Sequence, residues 1–185
     1  MQLQPLAGCS SRVLLRLFWI NRGVDAKYAF RFLYALILSA SGGAVRSLER
    51  KIYQQKVASC SIQTPPIFIL GHWRSGTTLL HNLLAQDPQF GYLSSYNAWL
   101  PEQSIETWPV SRWAVQQLMP SERPMDKIAL SLDSPQEEEY AMGNFCPYSF
   151  YHGWAFPQKL RDYFERYVLF TSGQFKSEVH QCLIC

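Results

Sequence analysis

Residues 67–84, IFILGHWRSGTTLLHNLL, decide the fold reading of this chain. The apolar run Ile67-Phe68-Ile69-Leu70 is short and stands between turn-forming residues, which predicts a buried strand. Gly71 and Gly76 bound the segment that follows, and a helical pattern begins at Thr77. Strand, glycine-bounded loop and helix in that order make an anion cradle. The N–H groups of the loop point inward, and the first turn of the helix adds unpaired N–H groups and the positive end of its dipole. The bound group is expected to be a phosphate or a sulfate.

The spacing is that of a nucleotide P-loop, G-x-x-x-x-G-K-[ST], with one departure. Gly71 and Gly76 fit the two glycines and Thr78 fits the final hydroxyl, but Thr77 stands where the lysine belongs. In a P-loop NTPase that lysine reaches the terminal phosphates and the hydroxyl holds magnesium. Here the cation sits inside the loop, as Arg74 of Arg74-Ser75-Gly76-Thr77-Thr78. A guanidinium offers two parallel donors to paired oxygens, which suits an anion bound without a metal. A nucleotide kinase or NTPase is the first rival reading; Thr77 and the lack of a clear Walker-B aspartate stand against it.

The run from Gly71 to His81, GHWRSGTTLLH, resembles the phosphosulfate-binding loop of the sulfotransferases, in the form with an Arg-Ser-Gly-Thr-Thr core. The resemblance continues through Asp133-Ser134-Pro135-Gln136-Glu137-Glu138-Glu139 and the aromatic stretch 146–157, and covers roughly residues 65–170. It implies an α/β fold, a P-loop-type parallel sheet flanked by helices. It implies 3′-phosphoadenosine 5′-phosphosulfate (PAPS) as donor, with no metal, and sulfuryl transfer to a hydroxyl or amine of a small molecule, glycan or lipid. The donor's 5′ end would be held by His72, Trp73, Arg74, Ser75, Gly76, Thr77 and Thr78. Such enzymes hold the 3′-phosphate with an arginine and a serine beyond a later strand. Residues 172–185 contain no strand-like run with an arginine-bearing turn. The expected organisation is therefore an N-terminal helical region, 1–64, the N-terminal part of a sulfotransferase domain, 65–170, and a divergent tail, 171–185. An inactive, membrane-associated remnant is the second rival reading.

Arg74 is the leading catalytic candidate. Sulfuryl transfer loads charge on the bridging oxygen of the departing phosphate, and a cation fixed there stabilises the transition state more than the ground state. The acceptor's proton needs a base, and the motif is less informative here. Glu139 is the candidate, barely ahead of Glu138 beside it; a solvated helix face is the stronger account of either. Ser134-Pro135-Gln136-Glu137 reads as a helix start, with Ser134 as cap, Pro135 at the first helical position and Glu137 engaged in a capping box. His72, His81 and His152 are further candidates, each with a packing role as its alternative.

Composition narrows the classes. A hydrophobic content of 48% with 17% charged residues argues for a globular chain and against disorder. A net charge of +3 without a basic stripe of alternating aromatics fits an anionic substrate and excludes a nucleic-acid reader. Five cysteines, Cys9, Cys60, Cys146, Cys182 and Cys185, are odd in number and widely spaced, so no disulfide framework follows and a reducing compartment, the cytoplasm, is expected. The Cys182–Cys185 spacing is read as chance rather than as half of a zinc site or a prenylation box.

Helices are expected over 11–20 and 26–58, the second broken at Gly42-Gly43. The uncharged stretch 32–45 would rise roughly 21 Å as a helix, short of a hydrocarbon core about 30 Å thick. It is read as a core helix, with an interfacial position for Tyr28 and Arg31 as the alternative that admits peripheral membrane contact. Asp87-Pro88 ends the helix after the loop, residues 90–93 are expected to form a second short strand, and 158–170 an amphipathic helix. One central strand with uncovered neighbours would also predispose the chain to self-association.

Overall fold

The computed structural model describes residues 5–61, 63–72, 74–103, 105, 109–119, 121–122 and 129–171. Trp73 and the tail 172–185, with Cys182 and Cys185, lie outside the described residues. What is described is helical. A 3-10 turn, Pro5–Gly8, leads into α1, Ser11–Ile20. The Ser10 hydroxyl caps α1 by accepting from the Val13 N–H at 3.4 Å, satisfying one of the donors that a helix start leaves without a carbonyl. Helix α2, Ala29–Ser41, runs back along α1, so that Phe18 meets Phe32 at one end and Ser11 meets Ser39 at the other. Gly42 then interrupts the helical run before α3, Gly43–Ser59.

The apolar core takes Leu6 from the 3-10 turn, Cys9 from the link after it, Val13, Leu14 and Leu17 from α1 and Ala35 from α2, with Phe32, Leu36, Ala155 and Phe156 packed against it. Val13, Leu14 and Leu17 lie on one stripe of α1, as a 3.6-residue period requires. The remaining helices are α4, Thr77–Leu84; α5, Ser95–Trp99; α6, Pro109–Leu118; α7, Glu138–Phe145; α8, His152–Ala155; and α9, Leu160–Tyr167. Helix α9 buries Tyr163, whose hydroxyl accepts from the Asn21 side chain at 2.9 Å.

A buried amide joins the N-terminal helices to the rest. Asn144, on α7, donates to the carbonyl of Ala98 at 2.9 Å, and its side-chain oxygen accepts from the Cys9 thiol at 3.2 Å. The Cys9 carbonyl in turn accepts from the Ser39 hydroxyl at 2.6 Å. Burial pushes the Cys9 thiol well above its ordinary pKa, so it is a structural donor rather than a nucleophile.

The expected parallel sheet is not found: among the described residues there are no strands, only isolated antiparallel bridges, Ser94 with Pro135 and Glu122 with Ala129. Residues 67–70 lie outside any helix or strand, and Ile67, Phe68 and Leu70 are 62%, 76% and 88% exposed. An apolar run marks a segment suited to burial, but a strand exists only within a ladder, and the second segment of that ladder is not encoded in the run itself. Residues 90–93 are likewise not a strand. The pairing in that region is antiparallel rather than parallel: Gln136 N–H donates to Leu93 O, Ser95 N–H to Ser134 O, and Tyr96 N–H to Leu132 O, at 2.8–2.9 Å.

The same pairing corrects the expected helix start at Ser134. Helix α7 begins at Glu138, and Glu137 is extended with φ −68° and ψ 135°. Ser134 spends its carbonyl on Ser95 and accepts with its hydroxyl from the Ser131 N–H. Tertiary pairing outweighed the local capping pattern, helped by Pro135, which holds the residue before it away from helical angles. The expected breaks at Gly42 and Asp87 are seen; Asp87 Oδ1 accepts from the Gln89 N–H at 2.9 Å as the chain leaves α4.

Candidate active site

The described residues of this segment, 71, 72 and 74–78, form a turn that opens into α4. The Ser75 N–H and hydroxyl both donate to the His72 carbonyl, at 3.2 and 2.6 Å. That turn puts Arg74 at φ 65°, a left-handed conformation uncommon for a side chain with a Cβ. Gly76 follows at φ 90°, and α4 begins with the Leu80 N–H donating to the Gly76 carbonyl at 3.1 Å. Glycine has no side chain with which to cap, and the first turn of α4 receives no side-chain hydrogen bond from this N-cap position. The loop is also folded tightly on itself. A Cβ on Gly71 would stand 2.6 Å from Thr77 Cγ2 and 2.7 Å from Ser75 Oγ, so the first glycine is needed for close approach and the second for its backbone angle.

Arg74, Ser75 and Gly76 are exposed, and Thr77 and Thr78 half-buried, at the positive end of the α4 dipole. A guanidinium and a helix N-terminus therefore share one exposed turn, an arrangement suited to an anion. Ser75, expected to face the donor, has its hydroxyl engaged with His72 instead. His72 is exposed beside it and His81 is half-buried on α4.

Glu139 stands in a different cluster. Its carboxylate accepts from the Ser149 hydroxyl at 2.5 Å, while Glu137 accepts from the Tyr151 hydroxyl at 2.5 Å. Burial first, and then the bond to Glu137, push the Tyr151 phenol well above its ordinary pKa. Tyr151 also stacks on Trp154 with ring centroids 4.5 Å apart. Glu138 is exposed on the first turn of α7. The structure thus groups 71, 72 and 74–78 into one turn and places Glu139 on the first turn of α7, bonded to Ser149 in the connection to α8. The partnership of Ser149 with Glu139 carried no sequence signal, because the two stand ten positions apart along an aromatic-rich stretch.

His152 is a core residue. It is 1% exposed, with Nε2 2.8 Å from the Gly143 carbonyl, and burial pulls its pKa down to about 4. A group whose folded pKa lies below its unfolded value leaves the unfolded chain holding the extra proton between the two. Stability is then full above about 6.5, falls as pH drops toward 4, and levels below that. The expected slope from this residue is up to about 1.4 kcal/mol per pH unit. Urea titrations at stepped pH should show the slope flattened in His152→Gln. An equal slope in both proteins would mean that His152 does not titrate on unfolding.

The exposed, Arg-bearing loop running into an uncapped helix fits sulfotransferase chemistry, and the sequence profile of the sulfotransferase family matches residues 65–162. The chain belongs to that family. It is 35% identical over 135 residues to the omega-hydroxy-beta-dihydromenaquinone-9 sulfotransferase Stf3 of Mycobacterium bovis, and equally to that of Mycobacterium tuberculosis. The alignment takes in 72% of this chain and 34% of each relative, so the matched part spans about a third of the length of those proteins. No solved structure matches the chain.

Proposed function

We propose that residues 71–78 bind the 5′-phosphosulfate end of PAPS for sulfuryl transfer to a hydroxyl or amine acceptor. One observation carries this reading: Gly76, at φ 90°, turns a loop containing the exposed Arg74 into a helix start that has no N-cap side-chain bond. In the transfer, an acceptor oxygen or nitrogen forms the new bond to sulfur as the bond from sulfur to the bridging phosphate oxygen breaks. The electron pair of the broken bond stays on that oxygen, where Arg74 and the first N–H groups of α4 offset its charge. The acceptor's proton goes to a base, for which Glu139 is the candidate, with Ser149 holding the carboxylate. The mycobacterial relatives bear in their name an omega-hydroxylated dihydromenaquinone. On that ground a hydroxyl on an apolar lipid is the acceptor class we favour.

The donor assignment has a direct test in thermal shift without magnesium. PAPS or its desulfated product should raise the melting temperature, with a rise equivalent to about 2.7 kcal/mol at a hundred times Kd. Stabilisation by ATP only in the presence of magnesium, with no response to PAPS, would instead identify a P-loop nucleotide enzyme.

A further inference from the structure

The N-terminal helical hairpin has a face that none of the described residues covers. On α2, Phe32, Ala35, Leu36 and Ser39 turn toward the core. The opposite stripe, Phe30, Leu33 and Ile37, spaced as a helix places one face, is 76%, 52% and 59% exposed. Helix α1 adds Trp19, 78% exposed, at its C-terminal end. Because Phe18 meets Phe32, that end lies beside the start of α2. Trp19 and Phe30 therefore belong to the same end of the hairpin. Cations surround them: Arg22 and Lys27 stand in the connection, and Lys27 and Arg31 both lie over the Tyr28 ring, at 4.8 and 5.9 Å.

The charge of the chain is also divided. Residues 1–64 hold nine Lys and Arg against two carboxylates, Asp25 and Glu49, and Glu49 is buried. Since the whole chain is only +3, the remainder is net negative. Mild net charge concealed this asymmetry.

We infer that this hairpin end docks on an anionic lipid bilayer, lying in the interface with Trp19, Phe30, Leu33 and Ile37 among the acyl chains and Arg22, Lys27 and Arg31 at the headgroups. Exposed aromatics and aliphatics on one stripe, flanked by cations, are what such a surface recognises. Residues 26–59 are helical and apolar enough, by length and composition, to cross a bilayer, but little of the most apolar part is buried in the fold. The packing argues for lying in the interface rather than spanning. One stripe of α2 is already seated on α1 and the core, and α3 carries Arg46, Arg50, Lys51 and Lys56 along its length. The inference is independent of the sulfotransferase reading, since none of these residues belongs to the loop 71–78.

The test is vesicle sedimentation of the intact chain. Vesicles of phosphatidylcholine with phosphatidylglycerol should bind it at least about tenfold more tightly than phosphatidylcholine alone, and binding should weaken with salt. Arg22→Gln, Lys27→Gln and Arg31→Gln should each weaken it roughly fivefold. Phe30→Asp, at an exposed position, should weaken it about tenfold or more, with circular dichroism confirming an unchanged fold. Equal affinity for neutral and anionic vesicles would overturn the inference, as would no vesicle binding by the unsubstituted chain. So would a dimer in solution that Phe30→Asp dissociates while vesicle binding is unaffected, because the face would then belong to a second copy.

Discussion

Replacing Arg74 by alanine is expected to lower sulfuryl transfer by about 10²–10³-fold, the typical loss when one preplaced donor to a developing oxyanion is removed. Donor affinity should fall as well, by roughly 1.5–3 kcal/mol for a charge-assisted hydrogen bond. The melting temperature should change little, because Arg74 is exposed on the turn and outside the core. Arg74→Gly sharpens the experiment. Glycine adopts the φ of 65° found there without steric cost, so this variant keeps the turn and removes only the guanidinium. Arg74→Lys keeps the charge but gives up the planar fork, and should recover affinity in part. Calorimetry showing the same PAPS affinity in the wild type and Arg74→Gly would remove Arg74 from the site.

Gly8→Ala is expected to be the most destabilising small substitution in the N-terminal region. A Cβ at that position would fall 1.7 Å from the Trp99 carbonyl oxygen and 3.2 Å from the Asn144 amide nitrogen. The obstruction is backbone, which cannot rotate away as a side chain would. The end of α5 must therefore shift, and with it the amide that links Cys9 to Ala98. Overpacking of this kind typically costs 1–3 kcal/mol, and about 3 kcal/mol is expected here because a buried hydrogen-bond network moves too. Gly91→Ala is the matched control, since a Cβ there meets nothing within 4 Å. The urea midpoint should drop for Gly8→Ala and hold for Gly91→Ala. An unchanged midpoint in both would mean that the junction between the N-terminal turn and α5 is looser than its contacts indicate.

The helices were legible because their signals are local. The stripe of Val13, Leu14 and Leu17, the break at Gly42 and the stop at Asp87 each depend on residues within a turn or two of one another. The glycine-bounded turn before α4 was legible for the same reason: Gly76 needs its positive φ where the chain enters the helix. The sheet was not. Residues 67–70 carry the apolar character of a strand, but pairing depends on a second segment, and no described segment pairs with them. Ser134 shows the converse. Its capping pattern is complete in sequence, yet Ser95, 39 positions away, takes its carbonyl beside an antiparallel bridge. Glu139 lies between these cases: it stands on a helix that follows the Ser134-Pro135 signal but starts later, and its partner, Ser149, is set by tertiary packing.

The folding of the loop upon itself bears on how an anion would be held. Ser75 clasps the His72 carbonyl with both its N–H and its hydroxyl, and Gly71 lies so close that a methyl group there would make the Thr77 and Ser75 side chains shift. The turn therefore takes its shape from its own hydrogen bonds and close contacts, before any ligand arrives. Association would need to order little backbone, and the entropic penalty that weakens binding by a mobile loop is largely avoided. If the turn holds an anion as proposed, discrimination would rest on geometry, because hydrogen bonds weaken away from linear angles and a planar carboxylate presents its oxygens differently from a tetrahedral anion.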